Sequence, residues 1–213
     1  SPDYDPNQYG TIRDESLRAQ VEADVQAELE KRQGEKAEGK TDEEIYQEAV
    51  NAATGTAQNK QWRSQAVNDT YEPGSTFKTA SIMVALEDGK ITPDTEVDTG
   101  NGIMNMYGSK MRDHNWHRGG YGKIDVTRIL EVSSNVGVSY LIDKHYKDNP
   151  QKFVDGLKRM SIDQPLHLQI PGEGKPNIKG PKERYFAKTT LPWMSIGYET
   201  QVPPMNILTF YNA

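Results

Sequence analysis

From Phe77 to Leu86 the chain is apolar at most positions: Phe77, Ala80, Ile82, Met83, Val84, Ala85 and Leu86. The run opens after Pro73-Gly74 and closes at Asp88-Gly89, where glycine is the usual helix stop. This pattern predicts a helix that is apolar on most sides and therefore buried. Asp14 to Gln33 is patterned differently. There Leu17, Val21, Val25 and Leu29 recur every four positions in a charged background, which predicts a helix with a narrow apolar stripe, ended by Gly34. A linker of lysine, glutamate and glycine follows, and Thr41-Asp42-Glu43-Glu44 reads as a capping box that opens a second helix through Ile45, Ala49 and Val50. Two such helices predict an αα-hairpin.

Further along, Val126 to Val132 predicts a helix opened by Asp125 or Thr127, and Val136, Val138, Tyr140, Leu141 and Ile142 predict another directly after it. Asn149-Pro150 caps a helix through Phe153, Val154 and Leu157, because proline suits the first helical position. Ile162 to Pro181 is rich in Gly and Pro and reads as irregular loop, and Pro204 to Ala213 reads as the start of a helix. The expectation is a mostly helical structure, with short strands near 91–98, 103–112 and 167–170.

Composition narrows the function classes. A length of 213 residues fits one domain, or one domain plus an insertion. Net charge −6, a pI near 5.3 and mean hydropathy −0.83 argue against nucleic acid as a partner. No apolar run approaches 18 residues, so this stretch carries no transmembrane helix, and no signal peptide is visible. The chain has no cysteine, which excludes disulfides and thiol chemistry without identifying a compartment.

Two short patterns carry chemistry. Ser75 lies in the first turn of the apolar helix, and Lys78, three residues on, shares its face. A serine hydroxyl is a weak nucleophile until a base takes its proton, and a lysine serves as that base only when it is neutral near pH 7. Burial pushes a lysine pKa down, and the positive end of the helix dipole acts in the same direction. Backbone N–H groups at the helix start are suited to a developing oxyanion. The pair alone is also compatible with a capping serine and a snorkelling lysine. Ser133-Ser134-Asn135 lies 58 residues beyond Ser75, at the junction between two predicted helices, where a hydroxyl and a carboxamide two residues apart can point into one cleft.

The chain resembles the transpeptidase domain of penicillin-binding proteins, whose motif set is S-x-x-K, S-x-N and K-[ST]-G. The likeness is greatest to class B, the monofunctional enzymes of elongation and division. Glu72-Pro73-Gly74-Ser75-Thr76-Phe77-Lys78 is similar to the family's nucleophile block, and Ser133-Ser134-Asn135-Val136-Gly137 to its second block. Ser1-Pro2-Asp3-Tyr4-Asp5-Pro6-Asn7 resembles the stretch leaving the first strands, and Ser195-Ile196-Gly197-Tyr198 with Val202-Pro203-Pro204 the opening of a late helix.

The resemblance implies an α+β fold of the β-lactamase/transpeptidase type. Residues 1–213 would form a partial transpeptidase domain with a charged helical insertion at 12–60. It implies Ser75 as nucleophile toward D-Ala-D-Ala stem peptides, Lys78 as its base, Ser133 as proton relay, and Asn135 as a ligand of the bound peptide that also steadies Lys78. β-Lactams would acylate Ser75. No cofactor or metal is implied.

No K-[ST]-G occurs in these residues. The resemblance therefore implies a fragment that is mostly helical, with the central antiparallel sheet largely missing, and inactive by itself. The parent would sit at the periplasmic or extracytoplasmic face of the inner membrane, held by an anchor outside this chain.

Other readings follow from the same residues. A class A β-lactamase would need a glutamate in an E-x-x-L-N run, which is not found, whereas a D,D-carboxypeptidase differs only in using water as acceptor. A β-lactam sensor or a scaffold subunit of the cell-wall machinery is the non-catalytic alternative, and the four intact residues Ser75, Lys78, Ser133 and Asn135 argue against an inert scaffold. The 12–60 insertion reads either as a docking surface for other cell-wall synthesis proteins or as a solvated elaboration. His114 and His117, beside Asp113, supply too few ligands at useful spacing for a metal site.

Overall fold

The computed structural model describes residues 10–32, 40–169 and 172–213. It divides into two compact units, Ser1–Ser64 and Gln65–Ala213.

The first unit is a helical hairpin. Helix α1 (Glu15–Arg32) starts where the Asp14 carboxylate accepts from the Ser16 and Leu17 amides at 2.8 and 3.1 Å. Helix α2 (Asp42–Trp62) starts at the capping box: Thr41 N donates to Glu44 Oε2 at 2.8 Å, and Glu44 N donates back to Thr41 Oγ1 at 3.3 Å. The predicted stripe is consumed inside the hairpin, where Val25 packs with Ala49 and Ala53, flanked by Val21, Leu29 and Val50. Arg32 ties the helices by pairing with Glu28 at 3.0 Å and Glu48 at 2.6 Å. The expected stop at Gly34 and the likeness at Ser1–Asn7 lie outside the described residues.

The second unit is α+β, with helices dominant. A short helix α3 (Gln65–Asn68) precedes a tight 3-10 turn at Gly74–Phe77, which runs directly into α4 (Lys78–Glu87). Strands β1 (Glu96–Asp98), β2 (Ile103–Met106), β3 (Ser109–Arg112) and β4 (Lys123–Asp125) follow, then α5 (Val126–Glu131), α6 (Asn135–Tyr146) and α7 (Pro150–Arg159). The chain continues through β5 (Asn177–Ile178), α8 (Thr190–Met194), β6 (Thr200–Gln201) and α9 (Pro204–Tyr211). The described strands pair antiparallel as three two-stranded ribbons: β1 with β4, β2 with β3, and β5 with β6.

One core unites the helices. Phe77, Ile82 and Val84 of the α4 region bury against Ile129, Val138, Leu141, Ile142, Tyr146, Phe153, Leu157 and Met194. Helix α7 reaches α4 so closely that a Cβ on Gly156 would sit 2.4 Å from Val84 Cγ1.

Two details differ from the sequence expectations. Residues 167–169 form no strand, because Glu173 takes the Leu166 and Leu168 amides on its carboxylate and His167 adopts φ 54°. Helix α7 does begin at Pro150, but Asn149 makes no side-chain capping bond.

Candidate active site

The Gly74–Phe77 turn is braced from outside its own segment. Gly74 N donates to Gly197 O at 3.1 Å, Tyr71 and Val202 exchange backbone bonds at 3.2 and 3.1 Å, and Glu199 N donates to Glu72 Oε1 at 2.8 Å. Ser81 Oγ, one turn into α4, donates to Ser195 O at 2.7 Å. On another side the Tyr211 hydroxyl of α9 donates to Thr76 O at 2.7 Å and lies 2.9 Å from Thr79 Oγ1. The turn that presents Ser75 is thus held by its neighbours as well as by its own helix.

Ser75 is exposed, whereas Lys78 is only 2% exposed. The Lys78 ammonium donates to Ser133 O at 2.6 Å and to Ser133 Oγ at 2.9 Å. Burial pulls its pKa from the ordinary 10.5 down to about 8, partly opposed by the negative charge of Asp113. So Lys78 and Ser133 are brought into contact, with the amine seated on Ser133, while Ser75, three residues before Lys78, lies at the surface.

Ser133 owes its position to an unusual backbone. It adopts φ 53°, a left-handed conformation that a serine holds only when its surroundings impose it. The next residue, Ser134, caps α6 by accepting from Gly137 N at 2.9 Å and donates to Asp113 at 3.0 Å. Val136 N also donates to Asp113 Oδ1, at 2.9 Å. Asn135 is half-buried, and its Nδ2 donates to Arg112 O at 2.8 Å. The described bonds of Lys78 go to Ser133 and that of Asn135 to Arg112, so no direct Asn135–Lys78 contact steadies the amine.

Sequence reasoning missed the partners of these residues. Asp113 entered only as a neighbour of two histidines, Glu72 was given no chemistry, and Gly197 and Tyr211 went unremarked as braces. Among the described residues no group of three His, Cys, Asp or Glu is placed to hold a metal. His114 Nδ1 instead faces the Tyr121 hydroxyl at 3.1 Å. An open cavity of about 470 Å³ lined by Tyr107, Asp143, Lys147, Pro150, Phe186 and Leu191 contains none of the four candidate residues.

A buried lysine thus lies three residues from an exposed serine and is hydrogen-bonded to a second serine at a helix junction. Residues 1–213 match the family model described as the penicillin binding protein transpeptidase domain, and the chain belongs to that family. Among curated proteins it is 30% identical over 153 residues to the peptidoglycan D,D-transpeptidase FtsI of Buchnera aphidicola (subspecies Schizaphis graminum), covering 72% of this chain and 25% of that protein. It is 30% identical over 160 residues to the probable peptidoglycan D,D-transpeptidase PenA of Neisseria flavescens, covering 75% of this chain and 37% of the relative. The chain therefore spans about a quarter to a third of the length of these two relatives. The transpeptidase domain of Burkholderia pseudomallei penicillin-binding protein 3 superposes with TM-score 0.63 at 24% identity, over 71% of this chain and 43% of that one, a likeness of fold.

Proposed function

We propose that these residues form the helical half of a peptidoglycan D,D-transpeptidase site working through a serine acyl-enzyme. The reading rests on one observation above others: a lysine 2% exposed, with its pKa lowered to about 8, lies one helical turn from an exposed serine and is hydrogen-bonded to a second.

In this mechanism neutral Lys78 takes the Ser75 hydroxyl proton as Oγ attacks the carbonyl carbon of the D-Ala-D-Ala peptide bond. The C–N bond breaks, and Ser133 passes a proton to the departing D-alanine amine, leaving an ester on Ser75. The amine of a second stem peptide attacks that ester, restores the Ser75 hydroxyl and completes the cross-link. Asn135 hydrogen-bonds the bound peptide. A β-lactam presents the same acylating carbonyl, but its leaving amine stays tethered, so the ester persists.

The relatives' names support peptidoglycan as substrate, and on this reading the site works at the periplasmic or extracytoplasmic face of the inner membrane. Among the described residues no helix is long and apolar enough to cross a membrane. Residues 12–60 are on this reading an insertion peripheral to the chemistry. The K-[ST]-G strand that the resemblance calls for is not within the 213 residues, so this stretch alone should label weakly or not at all with a penicillin.

The test uses the full-length protein and a fluorescent penicillin. Wild type is expected to label covalently, Ser75→Ala not at all, and Lys78→Ala far more slowly. Covalent labelling of Ser75→Ala would overturn the nucleophile assignment.

A further inference from the structure

Asp113 is a buried carboxylate, 1% exposed, with no lysine or arginine ion-paired to it among the described residues. Such a group is expensive to keep charged unless hydrogen bonds compensate it. Its compensation comes almost entirely from one short segment. Ser134 Oγ donates to it at 3.0 Å and Val136 N at 2.9 Å. The preceding residue, Arg112, takes the Asn135 carboxamide on its carbonyl at 2.8 Å. Two consecutive residues at the end of β3 therefore grip residues 134, 135 and 136 of the S-x-N segment.

The grip has a geometric consequence one residue upstream. Ser133 enters this segment with φ 53°, and in that conformation both its carbonyl and its hydroxyl face Lys78 Nζ, at 2.6 and 2.9 Å. Releasing the segment would let Ser133 relax toward ordinary backbone geometry and carry both acceptors away from the amine. The backbone of Asp113 is itself anchored, because Asp113 N donates to Gly102 O at 2.9 Å.

We propose that Asp113 is a positioning residue of the Ser75 site: it fixes the Ser133–Asn135 segment so that Ser133 seats Lys78. The inference rests on the acyl-transfer reading of that site.

Other charged groups on α4 and on neighbouring elements are engaged elsewhere. Arg112 lies over the Trp116 ring at 5.2 Å. Glu87 and Asp88, at the far end of α4, pair with Arg159, and Arg128 and Glu131 of α5 pair with each other. Asp143 of α6 accepts from Tyr107, while Lys144 and His145 lie in the last turn of that helix. Among the described residues Asp113 is the charge whose field acts on Lys78, and it acts to raise its pKa.

The test does not depend on turnover. In the 213-residue protein carrying 13C-labelled lysine, the Lys78 Cε resonance, assigned by its loss in Lys78→Ala, reports the protonation midpoint of the amine. Asp113→Asn removes the charge but keeps the side-chain size, and it is expected to lower that midpoint below the wild-type value. Ser134→Ala removes the cap and one bond to Asp113 but keeps the Val136 amide bond and the carboxylate, so it should lower stability and lower the midpoint less than Asp113→Asn does. An unchanged midpoint in folded Asp113→Asn, or an equal fall in Ser134→Ala, overturns the proposal.

Wild type gives a check that needs no variant to fold. The Ser133 Cβ and Lys78 Cε resonances should shift together as the Lys78 amine deprotonates, and a Ser133 Cβ resonance that stays fixed through that transition overturns the seating of Lys78 on Ser133. In the full-length protein, Asp113→Asn should reduce the acylation plateau about tenfold or more while moving its acid limb to lower pH. If Ser75→Ala still labels there, the acyl-transfer reading fails and the Lys78 titrations stand on their own.

Discussion

Gly197→Ala is a severe test of how the turn carrying Ser75 is held. Gly197 has φ 85°, and a Cβ built on it would lie 2.1 Å from Gly74 O, 2.6 Å from Gly74 N and 2.8 Å from Gly74 C. All three are backbone atoms, so no side-chain rotation relieves the clash. The left-handed backbone costs an alanine about 1–2 kcal/mol. Forcing apart two packed segments costs about 1–3 kcal/mol more. A loss of about 2–5 kcal/mol is then expected, a large share of the ordinary stability of a domain. The movement falls on Gly74, the residue before Ser75, and a displacement of about 1 Å at a reacting group reduces rate on the order of 100-fold. Urea denaturation of the purified chain measures the first effect, and the second-order rate of penicillin acylation in the full-length protein measures the second. A Gly197→Ala protein with wild-type midpoint and rate would refute the view that this contact positions Ser75.

Acylation should rise with pH through a midpoint set by Lys78, whose pKa of about 8 makes about one amine in ten neutral at pH 7, against roughly one in 3,000 for an ordinary lysine at 10.5; a rate constant that is flat from pH 6 to 9 would exclude lysine as the base. The folded pKa lies below the unfolded one, so the destabilising effect of charged Lys78 is fully present below pH 8 and disappears as pH rises toward 10.5. Wild type should therefore gain stability relative to Lys78→Met between pH 8 and 10.5, and a constant difference in urea midpoint would contradict this. Gly55 lies within α2 with nothing inside 4 Å of a built Cβ, so Gly55→Ala should stabilise the hairpin by about 0.5–1 kcal/mol, read as a higher melting temperature; a lower one would mean that α2 is not a regular helix there.

The parts of the fold legible in sequence were those set by local chemistry. The Thr41–Glu44 box, the apolar run of α4 and the two helices flanking Ser133 each announce themselves within a few residues. The stripe at Val21, Val25 and Leu29 and its partner face at Ala49 and Val50 were legible as two helices of a hairpin, whereas Ala53 in the same cluster was not, because so small a side chain gives little hydrophobic signal. Residues 167–169 look like a strand until the Glu173 side chain claims the Leu166 and Leu168 amides. At the site, Ser75, Lys78, Ser133 and Asn135 stood out as motifs. Asp113 did not, since its bonds reach 21 and 23 residues along the chain and nothing local distinguishes a buried aspartate from a loop aspartate. The Gly74–Gly197 contact was invisible for the same reason.

Both atoms that receive the Lys78 ammonium come from a single residue, and one of them belongs to the main chain. Exchanging the side chain at position 133 can thus delete a hydroxyl without casting the amine adrift, because the carbonyl is common to every amino acid. The mooring of Lys78 is written into the polypeptide itself, beyond the reach of a point mutation at that codon unless it unwinds the left-handed turn.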